Sequence, residues 1–336
     1  MAGPPDAIEI VAGNGQTGTV GQALSLPLQV RVTDGFGNLL SGQTVEWDAG
    51  GGGDAGGTSQ TNAQGIASTT WTLGTTPGEQ TLHANAGGAG PATFTATAEP
   101  GDPELVAPER GDGQSGTVGT TLSDVLEALV TDSYDNPLSG VTVTWTPSGN
   151  GSIGATTPTD GNGIATATWT LGTTAGAQTL VASVLGATSA TFNATAEAGN
   201  PATIARFGGT NLLIGTIGLA LVPSLQVEVL DAFDNPVPDI EVTWAPAPGD
   251  GSVSQATSRT DSDGRASTDW TLGPTLGFQT LNATVPGLAP VQFNADALPE
   301  TIVQSAAGHP PESTPDSPQE VPVTDREHKA DAGTVG

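Results

Sequence analysis

Residues 26–38 read LPLQVRVTDGFGN, and the next alternating stretch ends on Val45-Glu46-Trp47. Leu26, Leu28, Val30 and Val32 fall on one side of the first stretch, and Gln29, Arg31 and Thr33 on the other. A period of two with one polar side is the pattern of an antiparallel strand that faces a core on one side and water on the other. The DGFGN that follows from Asp34 is turn chemistry, since Gly and Asn accept positive φ and Asp accepts nearby backbone N–H groups. No helical period appears along the chain, so the predicted class is all-β.

The stretch recurs. DSYDN begins at Asp132 and DAFDN at Asp231, and each leads to a Trp, Trp145 and Trp244, placed 98 and 99 residues after its predecessor. A second motif, WTLG, begins at Trp71, Trp169 and Trp270, with intervals of 98 and 101. A third, Gly-Thr-Val/Ile-Gly, ends at Gly21, Gly119 and Gly218. A period this long far exceeds a solenoid unit and matches a whole sandwich of roughly 100 residues. The predicted organisation is three tandem sandwiches at 1–102, 103–200 and 201–298, with a tail at 299–336.

Within each repeat a third strand is predicted through Ala67, Thr69, Trp71 and Leu73 and their equivalents. Later strands centre on Leu82, Leu180 and Leu281, and on Phe94, Phe192 and Phe293. The six Trp are predicted to be core, each indole N–H finding a carbonyl. A sugar-stacking platform is the competing reading, disfavoured by their inward register. Phe36, Tyr134 and Phe233 share one turn position and are predicted to plug that turn against a domain end. The junctions, AEPGDP and AEAGNP, are short, and Pro103 and Pro201 push the residue before them toward extended geometry. Short extended junctions between rigid sandwiches predict a rod.

Gly and Pro are abundant, 48 and 26 in 336 residues, a bias shared with disordered chains. The regular apolar register argues instead for folded repeats. With 35 acidic against 7 basic residues the net charge is −28. Such a surface repels phosphates and anionic lipid, which excludes nucleic acid as a partner. There is no Cys, hence no disulfide and no thiolate metal site. No stretch approaches the roughly 20 apolar residues of a membrane-spanning helix. MAGPPDAIEI has neither the basic start nor the apolar run of a secretory signal, so a mature or trimmed form is expected.

Catalytic residues are sparse. The three His are His83, on a strand next to Leu82, and His309 and His328 in the tail. No nucleophile elbow, phosphate loop or zinc-protease motif is present, and no enzyme is expected. Lys329 is the single Lys, so no repeat can close an internal Lys–Asn isopeptide bond. Calcium is the one cofactor that the residues raise, through Asp261 and Asp263 of TDSDG and Asp160 of TDGNG. The equivalent TNAQG has only Asn62, and a hairpin turn built on Asx residues and Gly accounts for all three. The junction acids Glu99, Asp102, Glu104 and Glu197 are a second, equally open cation reading.

The sequence of V-x-V-x-D-x-[FY]-x-N, V-x-W, T-[DN]-x-x-G-x-A and W-T-L-G resembles the group 1 bacterial immunoglobulin-like domains. These motifs lie at Val30–Asn38, Val45–Trp47, Thr61–Ala67 and Trp71–Gly74. Their counterparts run from Ala128 to Gly172 and from Val227 to Gly273. The resemblance implies immunoglobulin-like sandwiches of the kind that build the extracellular stalks of invasin- and intimin-like adhesins. It also implies that the repeats act mainly as spacers, with recognition placed in other domains.

In the tail, PETIVQSAAG from Pro299 parallels PATIARFGG from Pro201, an offset of 98, and the chain reaches AGTVG at Gly336, 118 residues after Gly218. The tail therefore reads as a partial fourth repeat interrupted by a Pro-, Ser- and Glu-rich insert. One reading is a linker to further repeats of a longer protein. The other is strand donation to a neighbouring copy, with Ile302, Val303, Val321, Val323, Thr334 and Val335 as the self-assembly residues. The expected function is a non-catalytic structural one: an extracellular or cell-surface bacterial fibre that polymerises head-to-tail through this C-terminal strand. The alternative is an adhesin that recognises a glycan or a host protein through sandwich-end loops. Its partners are copies of itself or neighbouring repeats.

Overall fold

The computed structural model describes residues 3–50, 52–208 and 212–300. All regular elements among them are strands, as the alternation predicts. In the first repeat these are β1 (Pro5–Ala12), β2 (Gln16–Thr19), β3 (Leu28–Asp34), β4 (Thr44–Ala49), β5 (Thr58–Gln60), β6 (Ile66–Thr69), β7 (Gly78–Asn85) and β8 (Ala92–Glu99). One sheet has the order β1-β3-β6 and the other β2-β8-β7-β4-β5. All pairings are antiparallel except β2 with β8, where Gln16–Thr19 of the Gly-Thr-Val-Gly motif runs parallel to Ala96–Glu99. The second and third repeats reproduce this pairing, with Gln114–Thr117 on Ala194–Glu197 and Leu213–Thr216 on Ala295–Leu298.

Alternation fixes what is buried. In β3, Leu28, Val30 and Val32 are fully enclosed, while Gln29 and Arg31 face outward. Burying one such side chain contributes about 1.5–3 kcal/mol. Leu26 departs from the expected register: it is 60% exposed, because the strand starts only after Pro27. The six Trp are all buried, and Trp47, Trp145 and Trp244 pack on Phe94, Phe192 and Phe293 with ring centroids 5.6–6.1 Å apart. Each repeat has a separate apolar core built around these residues. Trp270 Nε1 donates to the Asp250 carbonyl as expected, but Trp47 and Trp244 donate to the hydroxyls of Ser59 and Ser258, and the indole N–H groups of Trp71, Trp145 and Trp169 are buried with no partner among the described residues.

Two local differences have physical reasons. The third strand predicted through Trp71 is interrupted: β6 pairs with β3, whereas the Trp segment turns to other partners. In repeats two and three Trp169–Thr170 and Trp270–Thr271 pair with Ser152–Ile153 and Ser252–Val253. The second repeat also lacks the edge strand that β5 provides in the first and Thr257–Arg259 in the third. Pro158 occupies the place of Gln60 and Arg259, and its ring holds φ near about −65°, away from extended strand values. Trp145 Nε1 there is buried with no hydrogen-bond partner among the described residues.

Ile302, Val303, Val321, Val323, Thr334 and Val335, together with His309, His328 and Lys329, lie outside the described residues.

Candidate functional site at the repeat junctions

The Asp-x-[Phe/Tyr]-x-Asn loop is built the same way three times. In the second repeat Asp132 is buried, and its Oδ1 accepts the backbone N–H groups of Tyr134 (2.9 Å) and Asn136 (3.0 Å). The Asn136 side-chain amide donates back to both carboxylate oxygens, and Asp132 Oδ2 accepts the N–H of Gly101 from the junction at 2.8 Å. Asp231 does the same with Phe233, Asn235 and Gly199, and Asp34 with Phe36, Asn38 and Gly3. Asn38 side-chain donation, followed by the Gly3 N–H, holds the Asp34 carboxyl well below the ordinary carboxylate range. Burial pushes Asp132 and Asp231 upward, but the Asn and Gly donors outweigh it and leave both below 3.8. Each loop is thus clamped around an ionised carboxylate, a charge-assisted arrangement stronger than a neutral turn.

What the clamp presents is a contact with the preceding repeat. Asn136 Nδ2 donates to the backbone carbonyl of Thr75 at 2.9 Å, and Asn235 Nδ2 to that of Thr173 at 2.8 Å. At the second junction the N–H of Ala175 also donates to Asn235 Oδ1 at 2.8 Å. At the first junction the matching residue is Pro77, which has no N–H to offer. The ring of Tyr134 sits over Gly21, and a Cβ there would come within 2.7 Å of its Cζ. Gly21 also has φ +67°, so Gly meets both a backbone and a packing demand. Phe233 covers Gly119 in the same way, 3.5 Å from the place of a Cβ. Tyr134 and Phe233 therefore do plug a domain end, that of the repeat before each, whereas Phe36, 91% exposed, plugs none among the described residues.

The receiving end is held by a residue that the sequence reading passed over. Gln80 Oε1 accepts the Gly74 N–H at 2.7 Å, and its amide donates to the carbonyls of Gly74 and Thr76. Gln178 and Gln279 repeat the pattern on Gly172 and Thr174, and on Gly273 and Thr275. All three are buried. The signal was available: each Gln lies six residues after the Gly of WTLG and shares its strand face with buried Leu82, Leu180 or Leu281.

With this repeated geometry in view, sequence comparison places the repeats. The model of the bacterial Ig-like domain (group 1) matches residues 116–197 and 223–297. These two repeats are group 1 bacterial Ig-like domains. The first Ig-like repeat carries the same motifs and shares the strand order of its three- and five-stranded sheets with the third repeat. No curated protein matches the chain. Among solved structures it is similar to the Escherichia coli adhesin FdeC, at 20% identity, 88% coverage of this chain, 99% of that one and a TM-score of 0.43. Invasin, a bacterial integrin-binding protein, is similar at 19% identity and a TM-score of 0.44, over 87% of this chain and 60% of the invasin chain. InvD of Yersinia pseudotuberculosis follows at 16% identity, 85% and 96% coverage, and a TM-score of 0.43.

The other candidate residues of the Ig-like repeats do turn chemistry. Asp261 Oδ1 accepts the N–H groups of Asp263 and Arg265, both at 2.9 Å, and Asp263 lies 3.5 Å from the Arg265 guanidinium. Asp160 accepts from Asn162 and Ile164, and the uncharged Asn62 does the same with Gln64 and Ile66. Among the described residues no three carboxylates or imidazoles converge as a metal site requires. His83 stands on the outer face of β7 with Nδ1 3.0 Å from Thr93 Oγ1. A cleft of about 310 Å³ on the third repeat is lined mainly by Phe207, Leu213, Leu225 and Phe293. Among the described residues that line it, Ser224 alone carries a hydroxyl, which donates to Asp269 at 2.5 Å, and none is a histidine. Among the described residues no helix is long and apolar enough to cross a membrane.

Proposed function

We propose that the chain is a non-catalytic spacer of a bacterial cell-surface or extracellular protein, in which tandem Ig-like domains are locked end to end. The observation that carries this reading is the twofold recurrence of one junction, Asn136 on Thr75 and Asn235 on Thr173, each capped by an aromatic over a glycine. Linkers alone would leave successive sandwiches free to pivot. A charge-assisted loop seated on a braced end restricts that freedom, which suits a fibre that must hold its length. The acidic surface, with net charge −28, keeps such a fibre soluble and free of non-specific association.

Head-to-tail polymerisation through the tail is the finer form of this reading. Its AGTVG would run as a parallel strand beside a last strand, the role that the same motif has in every repeat. In the described repeats that place is already taken by Gln16–Thr19, Gln114–Thr117 and Leu213–Thr216. Donation through Ile302, Val303, Val321, Val323, Thr334 and Val335 would have to displace one of them or extend a sheet edge. An adhesin role through sandwich-end loops has no observation among the described residues in its favour.

Small-angle scattering of the full chain and of Tyr134→Ala/Asn136→Ala tests the spacer reading. The expected result is a narrow, elongated distance distribution that broadens and shortens in the variant. Identical profiles would sink it.

A further inference from the structure

Among the described residues, the Phe36 loop of the first repeat and the Gly218 end of the third have no counterpart seated against them. In the first repeat Asp34 sets the same loop, with Phe36 N–H at 3.0 Å and Asn38 N–H at 2.9 Å. Yet Phe36 is 91% exposed, against 43% for Tyr134 and 51% for Phe233. Asn38 is exposed where Asn136 and Asn235 are buried. The preformed loop thus holds its aromatic in water, where its two counterparts lie against a glycine of the preceding repeat.

The third repeat presents the complementary surface. Gln279, fully buried, braces Gly273 and Thr275 as its counterparts brace the two occupied ends. Gly218 stands in the place of Gly21 and Gly119, with φ +75°. Nothing among the described residues lies within 4 Å of where its Cβ would be, although Tyr134 and Phe233 fill the equivalent positions. Pro274 supplies a backbone carbonyl in the place of Thr75 and Thr173, and Leu276 a backbone N–H in the place of Ala175. Leu276 and Phe278, 56% and 67% exposed, replace Pro77 and Glu79 around this end and add apolar area to it.

We propose that the Phe36–Asn38 loop of one chain docks onto the Gly218 end of the third repeat of a second copy. This rests on the junction reading above and carries it from within a chain to between chains. Phe36 covers Gly218, Asn38 Nδ2 donates to the Pro274 carbonyl, and Asn38 Oδ1 accepts the Leu276 N–H. The contact joins unlike ends, so it is heterologous and adds copies in an open line without strand exchange. Each copy carries a net charge of −28, so repulsion opposes the contact and added salt strengthens it.

The test is photo-crosslinking of the full chain with p-benzoylphenylalanine in place of Phe36, at high chain concentration and in low and high salt. The expected products are dimers and longer ladders, more abundant in high salt. Their crosslinked peptides should pair position 36 with Gly218–Leu219 or Pro274–Leu276. Leu276→Glu on the same background should reduce them at least severalfold. Absence of ladders, or crosslinks that map to the first two repeats or to residues 301–336, overturns the proposal. The same probe at position 134 separates the two levels of the argument. An intramolecular crosslink to the Gly21 loop with none from position 36 leaves the spacer reading intact and removes the docking. Loss of the internal crosslink removes the spacer reading itself.

Discussion

The side-chain amide of Asn136 donates at 2.9 Å to the backbone carbonyl of Thr75, 61 residues earlier and in the preceding repeat. The same amide holds both oxygens of Asp132, so one residue serves its own loop and its neighbour at once. Truncation to Ala removes both. We expect Asn136→Ala to destabilise the second repeat by about 1–3 kcal/mol, since Asp132 keeps its charge but loses donors in a buried place. Native-state hydrogen exchange, which resolves repeats individually, should show faster opening in the second repeat and an unchanged third. Equal protection in variant and wild type would remove Asn136 from this role.

Gly21, Gly119 and Gly218 form a graded series. All three have positive φ, between +67° and +75°, so Ala costs each about 1–2 kcal/mol from backbone conformation alone. At Gly21 the new methyl also collides with the hydroxyl and ring of Tyr134, at Gly119 it meets Phe233 at 3.5 Å, and at Gly218 it meets nothing described within 4 Å. Gly21→Ala should therefore be the most harmful and Gly218→Ala the least in thermal unfolding. Adding Tyr134→Ala should recover part of the Gly21→Ala loss. If the three single variants are indistinguishable, the aromatic does not pack on the junction.

How much of this was legible beforehand follows from what alternation encodes. The register of Val30 and Val32, the six buried Trp and the repeat length could be read because a strand with one buried face writes its orientation into every second residue. Leu26 was misplaced because alternation does not mark where pairing begins; Pro27 does. The interruption before Trp71 was missed because a change of sheet leaves the apolar pattern unbroken. The turn position of Tyr134 was visible, but its partner, Gly21, lies more than a hundred residues earlier, and no spacing rule connects them. Gln80 was overlooked because a polar residue in a strand reads as outward-facing, although its parity with Leu82 places it inward.

Those buried glutamines make a prediction of their own. Gln80 and Gln178 brace ends that receive a loop, whereas Gln279 braces an end with no described partner. Replacement by Leu leaves the backbone groups of Gly74, Gly172 or Gly273 without these partners, at a cost of about 1–3 kcal/mol. All three variants should lose that stability in their own repeat. Only Gln80→Leu and Gln178→Leu should also broaden the scattering-derived length distribution. Broadening by Gln279→Leu to the same degree would show that the bracing is not tied to the junctions.

Acid should loosen the junctions in a defined window. The carboxyls of Asp132 and Asp231 are held below the ordinary 3.8 by the donors from Asn136 and Gly101, and from Asn235 and Gly199. A carboxyl whose pKa is lower folded than unfolded contributes stability that is complete above the unfolded value. That contribution is lost as pH falls through the folded one. The clamps are thus at full strength at neutral pH and weaken from about pH 4 downward. Protonation of the other acids relieves the repulsion of a −28 chain over the same range, which works in the opposite direction. Comparison with Asp132→Asn and Asp231→Asn isolates the clamp, because these variants keep the acceptor oxygen but have no proton to gain at that site. Between neutral pH and pH 3, the thermal midpoint of the wild type should fall further than that of either variant, although the wild type starts higher. Parallel pH profiles in wild type and variants would mean that the ionised carboxylates do not hold the loops.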